Sequence, residues 1–245
     1  TALELKKNNP NKSILIFEKG SSISKRICPK RKTGNCVNCS PCNITTGFAG
    51  AGAYSDGKLS LSPDVGGNLP EYIGYEKTQE LIDYVDEIYL KFGADKKIYG
   101  IDNKEQIDEI RKKAIRSNLK LVECPIRHMG TEEGYNIYSK IETYLKEIGV
   151  ELKFRNPVKD IILDNNRKVK GVIADKEYLA DRVIICVGRE GSDWLKNLCH
   201  KHDIDTETGD VDIGVRVETR NEIMEELNKA MYESKLIYYT PTFDD

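Results

Sequence analysis

No stretch of this sequence approaches the roughly 18 consecutive apolar residues that a membrane-spanning helix needs, so a spanning helix is not expected. An excess of charge of one sign is missing as well. The 38 Lys and Arg residues face 40 Asp and Glu residues, a net charge of -2, and nothing global draws the chain to nucleic acid or an anionic bilayer. The opening segment from Thr1 to Pro10 lacks the charged-then-apolar layout of a secretion signal and reads instead like the end of a helix. Histidine is scarce, with only His128, His200 and His202, and no Ser-His-Asp or paired-carboxylate pattern can be argued. His200 and His202 read as helix-end residues. His128 is open between a ligand contact and a polar residue at a helix entry. The seven cysteines are an odd number, and four of them crowd between Cys28 and Cys42. That suits a reduced cytoplasm better than a disulfide framework, and a cytoplasmic protein is expected.

At 245 residues the chain can form one large α/β domain or two small ones. Leu3 and Leu5 sit in a helical stretch ending at Asn8, Asn9 and Pro10. Ser13 to Phe17 (SILIF) is an unbroken apolar run followed by Glu18, Lys19 and Gly20, the pattern of a parallel strand buried on both faces. Residues 20 to 74 are rich in Gly, Ser, Pro, Asn and Cys, and loops that long are usually functional. Leu81, Val85, Ile88 and Phe92 then step at helical spacing, as do Ile107, Ile110 and Ala114. A short strand is expected at Lys120 to Pro125. A third helix opens near Thr131, with Ile137, Ile141, Tyr144, Leu145 and Ile148 inside and Gly149 as its stop. Short strands at Val150–Phe154, Val158–Leu163, Val169–Ile173 and Tyr178–Ala180 predict a meander. Arg182 to Val187, closed by Gly188, predicts a second buried strand, and Val211 to Val217 another, before a helix around residues 222–232.

A helix, an apolar strand and then an acid is the order found in a βαβ nucleotide-binding unit, where the acid accepts hydrogen bonds from ribose hydroxyls. Glu18 has that position. Counting back about 20 residues places the phosphate-binding glycine turn before Thr1, so the sequence reads as truncated at its start. From Gly47 to Lys58 (GFAGAGAYSDGK) small residues gather where a backbone must approach something flat or anionic.

The spacing Cys36-x2-Cys39-x2-Cys42, preceded by Cys28, admits three readings. Zinc accepts four thiolates. An iron–sulfur cluster would have to recruit Cys28, because Thr46 stands where the usual fourth cysteine falls. Free or redox-active thiols are the third. The neighbouring Lys25, Arg26, Lys30, Arg31 and Lys32 read as a solvated loop face or as an electrostatic partner for a cofactor phosphate, and nucleic acid is not expected as a partner.

Five segments together carry a resemblance: Cys36 to Ile44, Gly50 to Leu59, Arg127 to Thr131, Val187 to Gly191 and Asp212 to Glu218. In them the sequence resembles flavoproteins with two dinucleotide-binding domains, and within that group an FAD-dependent dehydrogenase (NAD(P)/FAD-dependent oxidoreductase) family of bacteria and archaea whose substrate is unassigned. The resemblance extends over nearly the whole chain. It implies a Rossmann-like FAD/NAD(P)-binding domain, a parallel sheet plus an antiparallel meander, over residues 1–64 and 130–203. A helical insertion at 65–129 and the start of a second domain at 204–245 complete the expected organisation. FAD is the implied cofactor, with Glu18 and Lys19 at the adenosine ribose. Gly50, Ala51, Gly52 and Ala53 fall near the pyrophosphate or flavin, Val158 beside the adenine, and Val187, Gly188 and Arg189 at the cofactor's edge. The glycine turn and the late Gly-Asp or Gly-Glu segment of such flavoproteins are both missing, so the chain is expected to hold FAD weakly or not at all, and to be inactive by itself. The expected activity of the parent protein is FAD-dependent oxidation or reduction of a small molecule, with NAD(P)H a candidate donor; no catalytic residue is assigned. The reading of a different class is a cysteine-rich metal-binding or nucleic-acid-associated module that uses the fold only as scaffold, with Cys28, Cys36, Cys39 and Cys42 on zinc or an iron–sulfur cluster.

Overall fold

The computed structural model describes residues 1–54, 57–209, 211–240 and 242. In chain order the elements are α1 (Ala2–Asn8), β1 (Ile14–Glu18), α2 (Lys30–Thr33), β2 (Lys58–Ser60), α3 (Leu69–Ile73), α4 (Tyr75–Lys91), α5 (Lys104–Arg116), β3 (Leu119–Val122), β4 (Ile126–His128) and α6 (Gly130–Glu147). They continue with β5 (Val150–Phe154), β6 (Asp160–Leu163), β7 (Val169–Ile173), β8 (Glu177–Leu179), α7 (Ser192–Lys201), α8 (Asn221–Ala230) and β9 (Lys235–Tyr238). The fold is mixed α/β, with one small parallel sheet and three small antiparallel sheets among the described residues. The chain divides into two compact units, residues 1–55 with 134–212 and residues 56–133 with 213–245.

In the first unit β1 pairs in parallel with β5, Ile14 opposite Val150 and Glu18 opposite Phe154. A parallel pair needs a long crossover, and α6 leads directly into β5. Its apolar stripe is real: Ile137 and Leu145 are buried, and Gly149 turns the chain at φ +79° into the strand. Strands β6, β7 and β8 form the expected antiparallel meander. Its ring Tyr178 meets Phe17 of β1 edge-on with centroids 4.9 Å apart, which seats the meander against the parallel pair.

Two expected strands are corrected. Neither Arg182 to Val187, with Ile184 58% exposed, nor Val211 to Val217, with Ile213 96% exposed, pairs with a strand among the described residues. An apolar run is a strand only when neighbours take its backbone hydrogen bonds, and no described residue does so here. The parallel sheet therefore has two strands, not the wider nucleotide-binding sheet expected.

The second unit has its own core. Ile107, Ile110 and Ala114 of α5 pack with Leu121 of β3 and with Ala230 and Met231 at the end of α8. Here β3 pairs antiparallel with β9 and β2 pairs antiparallel with β4. Gly57 is required by close approach as well as by its φ of +64°, since a Cβ there would lie 3.0 Å from the Gly130 carbonyl. Ser55 and Asp56 of the glycine-rich motif lie outside the described residues, as do Asp210, Pro241 and residues 243–245. Among the described residues no helix is long and apolar enough to cross a membrane.

Candidate functional site at the carboxyl end of strand β1

In open parallel sheets ligands bind beyond the carboxyl ends of the strands, and in the first unit that end is built by three loops. Glu18 is the last residue of β1 and half-buried. One carboxylate oxygen, Oε1, accepts the Gly20 N–H at 2.7 Å; Oε2 makes no hydrogen bond among the described residues. The Glu18 carbonyl accepts the Asn156 N–H at 3.1 Å, and the Gly20 carbonyl accepts the Arg155 N–H at 2.7 Å. The turn after β1 is thereby fastened to the turn after β5, and Val158, half-buried, follows two residues on.

The glycine-rich loop meets the same turn backbone to backbone. A Cβ on Gly20 would lie 2.5 Å from the Gly47 nitrogen, so only glycine lets the two segments come this close. The Ser21 carbonyl accepts the Phe48 N–H at 2.9 Å. Beyond it, Gly50 to Tyr54 forms a 3-10 turn in which Ala53 is buried, Gly50 is half-buried, and Ala51 and Gly52 are exposed.

Beneath this loop lies Arg26. Of the two readings of the basic run 25–32, a solvated loop face and a partner for a cofactor phosphate, the first is corrected for Arg26, which is only 2% exposed. Its Nε donates to the Asn43 carbonyl at 2.9 Å, Nη1 to those of Phe48 and Gly50 at 2.6 and 2.7 Å, and Nη2 to that of Ile44 at 2.7 Å. Burial lowers its pKa, opposed by Tyr54, Glu18 and Cys42, but a guanidinium stays charged in proteins. Neither composition nor spacing in the sequence gives a sign of this role, although Ile23 three positions earlier is equally buried. The helix α6 supports the same region through Glu142, whose Oε2 accepts the Ile23 N–H at 2.8 Å and whose Oε1 accepts from Lys146 at 2.6 Å.

The third loop carries Val187, Gly188 and Arg189, all exposed. It reaches the first through Lys19, whose Nζ lies 3.0 Å from Oε1 of Glu190. Both side chains are well exposed, so the pair is worth little energetically. Its use here is positional. Glu18 and Lys19, the glycine-rich loop with Gly50 to Ala53, Val158, and Val187 to Arg189 all belong to the first unit.

The cysteines do not come together. Among the described residues no group of three or more His, Cys, Asp or Glu side chains is placed to hold a metal ion, and all seven cysteines are free thiols. The expected ligand set of Cys28, Cys36, Cys39 and Cys42 is thus not assembled. Cys36 Sγ donates to Oδ1 of Asn38 at 3.5 Å, while the N–H groups of Thr45 and Ile44 and the Thr45 hydroxyl point at the Cys42 sulfur and lower its pKa. His128 belongs to strand β4, its ring 5.1 Å from that of Tyr232.

The carboxyl end of β1 thus offers a carboxylate oxygen free to accept from a diol, a glycine-rich loop whose Phe48 and Gly50 carbonyls turn inward, and the buried positive charge that holds them. These are complementary to the ribose and phosphate parts of a dinucleotide.

No family model and no curated protein matches the sequence. Three solved chains match in structure. One is the L-amino acid deaminase from Proteus myxofaciens in complex with anthranilate, 14% identical with a TM-score of 0.34, covering 72% of this chain and 39% of that one. The chain spans about two fifths of the length of that protein, and a likeness of this size does not establish a common fold.

Proposed function

We propose that the chain is the dinucleotide-binding part of an FAD-dependent oxidoreductase acting on a small molecule, with NAD(P)H as a candidate electron donor. The observation that carries this reading is the Glu18 carboxylate, anchored by the Gly20 N–H at 2.7 Å with Oε2 left for a ligand at the carboxyl end of a parallel strand. The resemblance of the five sequence segments supplies the choice of FAD among dinucleotides.

In this reading Glu18 accepts hydrogen bonds from the adenosine ribose, with Lys19 beside it and Val158 near the adenine. Gly50 to Ala53 meet the pyrophosphate or flavin, and Val187 to Arg189 border the cofactor. Residues 1–64 with 130–203 form the cofactor domain, and the expected insertion at 65–129 shares one core and the β3–β9 pair with residues from 204–245, so the two segments are read together as the further domain. Flavin supplies the hydride chemistry when bound. The residues of this chain bind and orient it.

Titrating the chain into FAD tests the reading. Saturable but weak quenching of flavin fluorescence is expected of a chain without the phosphate-binding glycine turn, and Glu18→Gln should weaken it about tenfold or more, since hydrogen bonds to a charged group are worth about 1.5–3 kcal/mol. Absence of saturable binding contradicts the reading.

A further inference from the structure

Arg26 is a buried cation with no carboxylate ion partner among the described residues, and it spends four N–H donors on backbone carbonyls. Those carbonyls come from both arms of one loop, Asn43 and Ile44 on one side of Gly47, Phe48 and Gly50 on the other. The loop bends around the side chain at Gly47, whose φ is +127° and where a Cβ would lie 2.6 Å from Arg26 Cδ. The Tyr54 ring closes the far side, its centroid 4.8 Å from the guanidinium carbon, and its hydroxyl donates to the Arg26 carbonyl.

The consequence follows from peptide geometry. In a trans peptide the carbonyl and the next N–H point in opposite directions, so each carbonyl drawn inward turns an N–H outward. The first arm shows the same constraint: the carbonyls of Asn43 and Ile44 accept from Arg26 at 2.9 and 2.7 Å, which turns the Ile44 and Thr45 N–H groups away from the guanidinium. On the second arm the same constraint turns the N–H groups of Ala49 and Ala51 away from the guanidinium. A loop without this clamp would be free to present carbonyl oxygens, which repel an anion.

We propose that Arg26 is the positioning residue of the site: by collecting the carbonyls of Asn43, Ile44, Phe48 and Gly50 it holds the Gly47–Ala53 loop with its N–H side toward the pyrophosphate of the bound dinucleotide. This rests on the dinucleotide reading above and adds a residue that the resemblance does not assign. Arg26 acts through the loop and does not itself touch the cofactor. Lysine cannot replace it, because one ammonium does not span four carbonyls in a planar fork.

The experiment compares two probes on the full chain, adenosine and FAD. Adenosine reports the Glu18 end alone; FAD reports that end and the loop. Arg26→Lys should bind adenosine as the wild type does and bind FAD at least tenfold more weakly, with an unchanged far-ultraviolet circular dichroism spectrum. Glu18→Gln should weaken both. Equal loss of both ligands in Arg26→Lys, or loss of neither, overturns the positioning role while leaving the dinucleotide reading in place; a wild-type chain that takes up no FAD overturns both. Hydrogen exchange on the wild type answers independently of how the variant folds. The amides of Thr46, Phe48 and Gly50, which donate to the Cys42, Ser21 and Gly47 carbonyls, should exchange slowly before FAD is added, and those of Ala49 and Ala51 should slow on its addition. A 43–50 loop that exchanges as open coil until FAD arrives contradicts the proposal.

Discussion

The Arg127 guanidinium holds the Asp86 carboxylate through two parallel hydrogen bonds, Nε to Oδ1 at 2.5 Å and Nη2 to Oδ2 at 2.6 Å. Arg127 is 2% exposed, so this is a buried pair that ties β4 to α4 in the second unit. The hydrogen bonds to Asp86 raise the Arg127 pKa against the opposing effect of burial. Removing one partner strands a buried charge, and Asp86→Ala should cost about 3–5 kcal/mol in denaturant unfolding. Replacing both with apolar residues of similar volume should recover most of that loss. A single-mutant cost below about 1 kcal/mol would show the pair to be solvated.

Asp160 gives the pH prediction. Burial works against its charge, but His202 Nε2 at 2.6 Å, the Lys201 ammonium and the Ile161 N–H at 2.9 Å outweigh it and hold the pKa at about 2, below the ordinary 3.8. A folded-state value below the unfolded one stabilises the protein above about pH 4, and the contribution disappears as the pH falls through about 2. The drop is worth about 2 kcal/mol. Asp160→Asn should therefore be less stable than wild type by about that amount at pH 7 in urea unfolding, and the two curves should converge toward pH 2. A gap that persists undiminished at pH 2 contradicts the assignment.

Gly20 and Gly52 should respond oppositely to alanine. At Gly20 the new methyl meets Gly47 backbone at 2.5 Å, whereas at Gly52 the nearest atom is the Tyr138 hydroxyl at 3.5 Å. Gly20→Ala should lose about 1–3 kcal/mol and weaken dinucleotide binding by parting the two loops. Gly52→Ala should stay within about 0.5 kcal/mol of wild type. Thermal unfolding of the two variants distinguishes them, and a tolerated Gly20→Ala would contradict the close approach.

Cys42 should be the faster of two contrasting thiols. Hydrogen bonds from Thr45 and Ile44 bring its pKa down, whereas burial pushes the Cys124 thiol up. Thiolate is the nucleophile, so iodoacetamide at neutral pH should modify Cys42 well before Cys124. The pH midpoint for Cys42 should fall below the ordinary thiol range, and Thr45→Val should move it upward. Mass spectrometry of timed samples reads both, and equal labelling rates would contradict the assignment.

The elements legible in the sequence are those whose pattern is local. The run at Ile14 to Phe17, the stripe of Ile137 and Leu145 and the turns of the meander each specify their own conformation through period and turn chemistry, and they appear as expected. Partners are a different matter. Nothing in the residues 119–122 announces that β3 pairs with β9 more than a hundred positions later, and Arg182 to Val187 shows the converse, a run with strand composition and no partner. Glu18 could be singled out because its position follows from strand and acid in order. Arg26 could not, because a buried arginine in a run of exposed cations differs from them only in what the distant Asn43 to Gly50 backbone offers it. The cysteine spacing records which metal bites are possible, not whether the thiols converge, and no group of three or more metal-holding side chains is placed among the described residues.

A dinucleotide site at the carboxyl end of β1 can be probed by photolabelling the full chain with 8-azido-adenosine diphosphate, followed by peptide mapping with and without excess FAD. Label is expected on the peptides that carry residues 18–20 and 155–159, suppressed by FAD. Label confined to residues 57–133, or label that FAD does not displace, would contradict it.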